Sequence, residues 1–328
     1  MQFPPVEPPK RAHARAVADA LAGGTSGVAL GRLGAIGAWV ASVQGRDVPT
    51  PFLRPRAVIV AGNHGIATRG LSAWTSDAGA AQVEQLRAGV GPASTTARVA
   101  GASIRLIDDY LDTPTGAIDV EPAVSQEVWD AALAAGAEIA DSEIDGGADL
   151  LIPGDIGVGN TTVAAAVYGT FTRTEPAKAI GRGSGINDEV WKIKVAAIRD
   201  AMFRVRWFRA DTERVCAELT GPDFACLVGF IAQAAARRTP LLIDGVYPAV
   251  AAYVAERLAP DTKDWLMAAQ EANEPAQAGC FEALGLRPLQ HLDMKTGQGA
   301  GALAALPQLN LAAEMVGEVL AGGSSISD

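Results

Sequence analysis

The chain has 328 residues, 49% of them hydrophobic, which suffices for one large domain or for a large and a small one. A formal net charge of −10 argues against a nucleic-acid-binding surface and leaves room only for a local basic pocket. The three cysteines form no CxxC pair and the three histidines are dispersed, so no disulfide framework, metal site or cofactor is expected.

Residues 1–9 carry Pro4, Pro5, Pro8 and Pro9 and read as an extended arm. They lack the basic-then-apolar pattern of a signal peptide, and no apolar run is long enough to span a bilayer. A cytoplasmic location with no membrane partner is expected. A short helix over 10–22 stops at Gly23-Gly24. Residues 30–43 read as an amphipathic helix, with Leu33, Ile36, Trp39 and Val43 at helical spacing. The first clear strand, 57–61, ends in Gly62-Asn63-His64-Gly65. Polar residues at the carboxyl end of a buried parallel strand stand where open α/β sheets bind ligands, so Asn63 and His64 are candidate substrate contacts. The alternative for His64 is a hydrogen bond that only holds the turn. The next loop offers a hydroxyl, Ser72, and an aromatic face, Trp74. Helical segments over 77–86 and 95–100 lead to a second strand, 103–108, which ends in acids. A loop over 111–125 and an alanine-rich helix over 126–140 follow.

The central stretch is Gly154-Asp155-Ile156-Gly157-Val158-Gly159-Asn160-Thr161-Thr162. It follows an apolar run, 148–152, that reads as a buried strand, and precedes a packed helix from 163. Glycines let the backbone approach a ligand closely, and Asn160 or Thr161 is placed to cap the helix. A strand, a glycine-rich turn and a capped helix make a phosphate site. Asp155 is the odd member, a carboxylate in a loop otherwise suited to an anion; the alternative is an exposed Asp in a tight turn. A second glycine loop, Gly181-Arg182-Gly183-Ser184-Gly185, contains the planar fork of Arg182, which matches phosphate or carboxylate unless Asp188 or Glu189 claims it. Helices over 190–208 and 224–235 precede a strand over 239–245 that ends in Asp244-Gly245. Residues 250–258 and 280–284 read as helix. A third glycine loop, Gly297-Gln298-Gly299-Ala300-Gly301, opens a helix containing Pro307. A second run, 311–320, leads to a flexible tail at Gly322-Gly323-Ser324-Ser325.

Strands alternating with helices predict an α/β fold: a doubly wound, mainly parallel sheet with flanking helices and one cleft along its carboxyl edge. No G-x-G-x-x-G opens the first strand–helix turn, and neither a Walker motif nor a G-x-S-x-G elbow is present.

Four segments in order, residues 154–162 (GDIGVGNTT), 181–189 (GRGSGINDE), 242–245 (LIDG) and 297–301 (GQGAG), resemble the nicotinate-nucleotide:dimethylbenzimidazole phosphoribosyltransferase family of cobalamin biosynthesis. The resemblance extends over roughly residues 30–310. It implies a large α/β substrate-binding domain at 26–264, a small helical domain from both chain ends (1–25 and 265–328), and a homodimer. It implies transfer of ribose 5-phosphate from nicotinate mononucleotide to a ring nitrogen of an aromatic base, with inversion to the α-anomer. The phosphate is expected on Gly157, Gly159, Asn160, Thr161, Gly181, Arg182, Gly183 and Ser184, and the base near Asn63, His64, Ser72 and Trp74. Asp155 and Gln298 are the catalytic candidates.

The departures from the family pattern fall mostly on base-handling positions. The family's GEG, whose Glu is its expected general base, reads Gly297-Gln298-Gly299 here, and an amide accepts no proton at neutral pH. Its GE before GNTT is Gly154-Asp155, its DHG is Asn63-His64-Gly65, and its TAQMV is residues 79–83. Two readings follow: a phosphoribosyltransferase, with dimethylbenzimidazole or an altered acceptor, or an impaired member that binds a nucleotide or base as a partner or sensor subunit.

Overall fold

The computed structural model describes residues 1–183 and 185–322. Three helices come first: α1 (Arg11–Ala22), α2 (Thr25–Ala29) and α3 (Arg32–Gln44). They lead to β1 (Pro55–Gly62), a 3-10 turn (Gly65–Arg69), α4 (Ala78–Arg87), α5 (Pro92–Ala100), β2 (Ser103–Tyr110) and α6 (Gln126–Asp145). The middle of the chain runs through β3 (Leu150–Ile156), α7 (Asn160–Thr172), α8 (Pro176–Ala179), α9 (Asp188–Arg204), α10 (Thr212–Leu219) and α11 (Pro222–Ala236). Then come β4 (Leu241–Ile243), α12 (Val246–Leu258), a second 3-10 turn (Thr262–Trp265), β5 (Leu266–Ala268), α13 (Pro275–Leu284) and α14 (Ala300–Gly322).

The strands form one sheet in the order β2-β1-β3-β4-β5, and every neighbouring pair is parallel. β1 is buried except for half-exposed Arg56, and β3 is buried throughout, as strands covered on both faces must be. The chain steps outward from β1 to β2 and then returns across β1 to β3. The switch in winding direction therefore falls between the carboxyl ends of β1 and β3, where an open α/β sheet leaves a crevice. Register pairs Val60 with Asp155 and Ala61 with Ile156.

The predicted doubly wound parallel sheet is present, with differences in detail. β3 continues through Gly154, Asp155 and Ile156, where the sequence predicts loop, because those residues still pair with β1. Asp155 thus stands on a strand end held against β1. β5, α8 and α10 are short and have no counterpart in the sequence reading. α14 runs through Pro307 as one helix rather than two, and the predicted tail beyond Gly322 lies outside the described residues.

Two close approaches set the helical layers. α6 and α11 cross where Gly136 faces the Cys226 carbonyl and Gly229 faces the Leu133 carbonyl; a Cβ at either glycine would collide with that backbone. A second, smaller core of Val17, Leu21, Ala38, Ala41 and Val316 joins α1, α3 and α14 and brings the two ends of the chain together. Among the described residues no helix is long and apolar enough to cross a membrane, and no His, Cys, Asp and Glu cluster could hold a metal.

Candidate active site

The crevice at the switch point opens into a cleft of about 300 Å³. One end is suited to an anion. Gly159 caps α7 at φ +100°, a left-handed conformation that glycine adopts without strain. The N–H groups of Thr162 and Val163 both bond to the Gly159 carbonyl, at 2.9 and 3.1 Å. Those of Asn160 and Thr161 precede the first intrahelical bond and carry the positive end of the helix dipole. Neither side chain caps the helix, contrary to the sequence expectation. Asn160 Nδ2 donates to Asp155 Oδ2 instead, and Thr161 Oγ1 accepts from Lys194 Nζ at 2.6 Å. Lys194 is 2% exposed, and burial pushes its ammonium down to about 8 against the opposing charge of Glu274. The second glycine loop closes this end. A Cβ at Gly183 would lie 3.7 Å from both Lys194 Nζ and Thr161 Oγ1, and the Gly183 N–H donates to Glu274 Oε1 at 2.8 Å. Arg182 lines the cleft but is exposed, donates to the Ile186 carbonyl at 3.1 Å and pairs with Asp188.

Carboxylates line the middle. Asp155 is buried; its Oδ2 takes the Asn160 amide, and its Oδ1 has no hydrogen-bond partner among the described residues. Burial raises its pKa to about 7. The Asn160 hydrogen bond opposes the rise, and the charges of Asp244 and Asp223 add to it. Asp244, just beyond β4, accepts from Gln270 Nε2 at 2.7 Å and from the Gly301 N–H at 2.8 Å. Burial raises it to about 6 despite those bonds. Behind them, Tyr247 donates its hydroxyl to Asp223 Oδ2 at 2.8 Å, and His64 Nε2 stands 3.3 Å from the same oxygen without hydrogen-bond alignment. Burial pushes Asp223 up, but the His64 charge and the hydrogen bonds outweigh it and hold the carboxyl below its ordinary value.

The far end offers amide, hydroxyl and aromatic surface. Gln298 adopts φ +60° between Gly297 at +66° and Gly299 at +64°, and its N–H donates to the Asp155 carbonyl at 2.9 Å. Three successive left-handed residues form a tight loop that lies against β3. Gly154 is needed there, since a Cβ would fall 2.7 Å from the Gln298 carbonyl carbon. The Gln298 side chain donates to Gln82 Oε1 at 3.2 Å. Ser72 Oγ accepts the Trp74 N–H at 3.1 Å, and the Trp74 ring is more than half exposed.

The cleft lining brings together Asp155, Gly157, Gly159, Asn160, Thr161, Arg182, Gly183, Gln298, Ser72 and Trp74. Gly181, Asn63 and His64 are not in it. Gly181 packs behind Glu274, Asn63 donates to the Leu111 carbonyl at 3.1 Å, and His64 lies beneath the loop, where a Cβ at Gly157 would be 3.2 Å from its Nε2. Ser184 lies outside the described residues. Sequence reading missed Lys194, although a signal exists: it stands in the buried stripe of α9 with Ala197, Ile198 and Ala201, at helical spacing. Glu274 stands out in the sequence only as the neighbour of Pro275. Asp223 and Tyr247 carry no local signal, because α11 and α12 meet there only in the fold.

A family model described as phosphoribosyltransferase matches residues 4–324. The chain is 45% identical over 300 residues to the nicotinate-nucleotide–dimethylbenzimidazole phosphoribosyltransferase of Corynebacterium glutamicum (strain R), covering 88% of this chain and 84% of that protein. It is 43% identical over 327 residues to the protein of the same name from Mycobacterium ulcerans (strain Agy99), covering 94% and 91%. The crystal structure of CobT from Thermus thermophilus matches with a TM-score of 0.87 at 31% identity, covering 93% of this chain and 95% of that one.

Proposed function

The chain belongs to the nicotinate-nucleotide–dimethylbenzimidazole phosphoribosyltransferase family, and from that membership we propose that it moves ribose 5-phosphate from nicotinate mononucleotide to a ring nitrogen of an aromatic base, giving an α-riboside phosphate. The observation that carries this reading is the meeting, in one cleft, of an anion end (Lys194, Thr161 and the α7 N-terminus), a carboxylate with a free oxygen (Asp155), and an amide and aromatic end (Gln298, Gln82 and Trp74). The phosphate dianion rests on the ammonium, the hydroxyl and the N–H groups at the head of α7. The C1′–N bond to the pyridinium breaks, and its electron pair returns to the ring nitrogen, so nicotinate leaves without an acid. A lone pair of the acceptor nitrogen forms the new C1′–N bond, and the second ring nitrogen of a benzimidazole gives up its proton.

Asp155 serves both charge and proton in this reading. Its negative charge stabilises the oxocarbenium-like transition state, and a pKa near 7 suits it to accept the proton. Gln298 accepts no proton; it holds the acceptor ring by hydrogen bonding. Dimethylbenzimidazole is the acceptor the relatives' names support, and the Gln298 position favours a test of other benzimidazoles and azoles beside it. The packing of α1 and α14 on α3 supports a small helical unit drawn from both chain ends. A cytoplasmic homodimer completes the reading.

The test is liquid chromatography of the purified protein incubated with nicotinate mononucleotide and each base. Nicotinate and α-riboside phosphate should appear in equal amounts. Nucleotide binding without product across the panel would replace transfer with the binder reading, which the Gln298 amide motivates.

A further inference from the structure

Glu274 is a buried acid with half of its bonding capacity unused. It is 5% exposed, on the turn before α13, and lines the cleft beside Lys194 and Gly183. Its Oε1 is tied to the Gly183 N–H at 2.8 Å. Gly181 lies flush against the same group, so that a Cβ there would fall 2.4 Å from Oε2 and 2.6 Å from Oε1. The carboxylate is thereby fixed in place. Its Oε2 accepts no hydrogen bond from any described residue, and the side chain that carries it lines the cleft. A fixed carboxylate oxygen beside an anion site repels the anion itself and calls for a neutral donor close by. A ribose 5-phosphate presents such donors, its secondary hydroxyls, a few bonds from phosphorus. The buried Lys194 ammonium keeps the carboxylate from being an uncompensated charge.

We propose that Glu274 Oε2 accepts a hydrogen bond from the 2′- or 3′-hydroxyl of the bound ribose and makes the enzyme selective for ribosyl over deoxyribosyl donors. This rests on the transfer reading above and adds a specificity-determining residue to it. A site built to bond a hydroxyl rejects the analogue that lacks it, because its own polar group is left unmatched.

The experiment compares kcat/KM of the wild type and of Glu274→Gln with nicotinate mononucleotide and its 2′-deoxy and 3′-deoxy analogues. The Gln side chain keeps an oxygen for Gly183 and turns an N–H₂ group to the cleft. Wild type should lose about 10- to 100-fold on one of the two analogues, the scale of a hydrogen bond to a charged group. Glu274→Gln should lose a similar factor on nicotinate mononucleotide and nothing further on that analogue. Glu274→Asp, which keeps the charge but withdraws it from the cleft, should lose the discrimination as well. Equal further losses in wild type and variant would overturn the assignment. So would a Gln variant that only binds inorganic phosphate more tightly, which would make Glu274 an internal competitor of the anion. If the wild type forms no product with any base, the transfer reading fails first. Calorimetry with ribose 5-phosphate against 2-deoxyribose 5-phosphate and 3-deoxyribose 5-phosphate then decides Glu274 alone: a preference for ribose that Glu274→Gln abolishes sustains it, and equal binding of all three sinks it.

Discussion

Asp155 brings catalysis and stability into opposition. Its pKa is about 7 in the folded chain against 3.8 when exposed, so between those values the native state holds a proton that the unfolded state has lost. Stability therefore falls as pH rises through that window, by a cost on the order of 4 kcal/mol that is fully present above pH 7. Asp155→Asn should melt at a higher temperature than wild type at pH 8 and at nearly the same temperature at pH 4. Its turnover should drop by about 10²-fold or more, the usual scale of general-base assistance, with nucleotide binding retained. The wild-type acid limb in kcat/KM, with activity lost as pH falls through about 7, should vanish with it; an unchanged pH profile would remove Asp155 from proton transfer. At the other end, Gln298→Glu should raise activity toward benzimidazoles by about 10²-fold. The swap keeps the length of the side chain and the left-handed backbone. No gain in a folded variant would mean that the other changes around the base decide the rate. Both residues were legible in the sequence because glycines flag them. Lys194 showed only as a member of the buried stripe of α9 and Glu274 only as the neighbour of Pro275, and neither reveals its place in the cleft until α9 and the turn before α13 are folded over the loop.

At the scale of elements, short aliphatic runs ending in glycine or acid were enough to place β1, β2, β3 and β4. Their ends were not, since strand length here is set by pairing: β3 reaches Ile156 only because β1 stands beside it. β5 has three residues and no periodicity to read. Helix starts were often misjudged by a few residues where Pro opens the first turn, as in α5, α11 and α13. What no one-dimensional pattern conveys is the depth of the α6–α11 crossing, which depends on Gly136 and Gly229 meeting opposing carbonyls. Gly229→Ala gains helix propensity but pushes a Cβ into the Leu133 carbonyl, so the helices must part. The expected net loss is about 1–3 kcal/mol, measurable as a lower midpoint in urea with the slope unchanged. A stabilised variant would show that the crossing has slack.

For the whole molecule, the parallel sheet and the cleft at its carboxyl edge followed from the order of elements alone. How copies of the chain associate did not, because a surface patch is assembled from residues far apart in sequence. The proposed homodimer should appear in light scattering at micromolar concentration as twice the chain mass of 33.7 kDa. A monomer there would remove it.

The placing of Lys194 under the glycine loops has a kinetic consequence. The other cations of the cleft, Arg182 and Lys295, are already paired with Asp188 and Asp293, and the molecule as a whole carries −10. Seen from beyond a Debye length, about 8 Å at physiological ionic strength, the entrance offers a nucleotide dianion repulsion rather than guidance. Attraction begins only once the phosphate is inside, within reach of the buried ammonium. Added salt should therefore speed the bimolecular association of nicotinate mononucleotide in stopped flow, opposite in sign to an electrostatically steered anion site. An on-rate that falls with ionic strength would locate a long-range positive field at the cleft mouth after all.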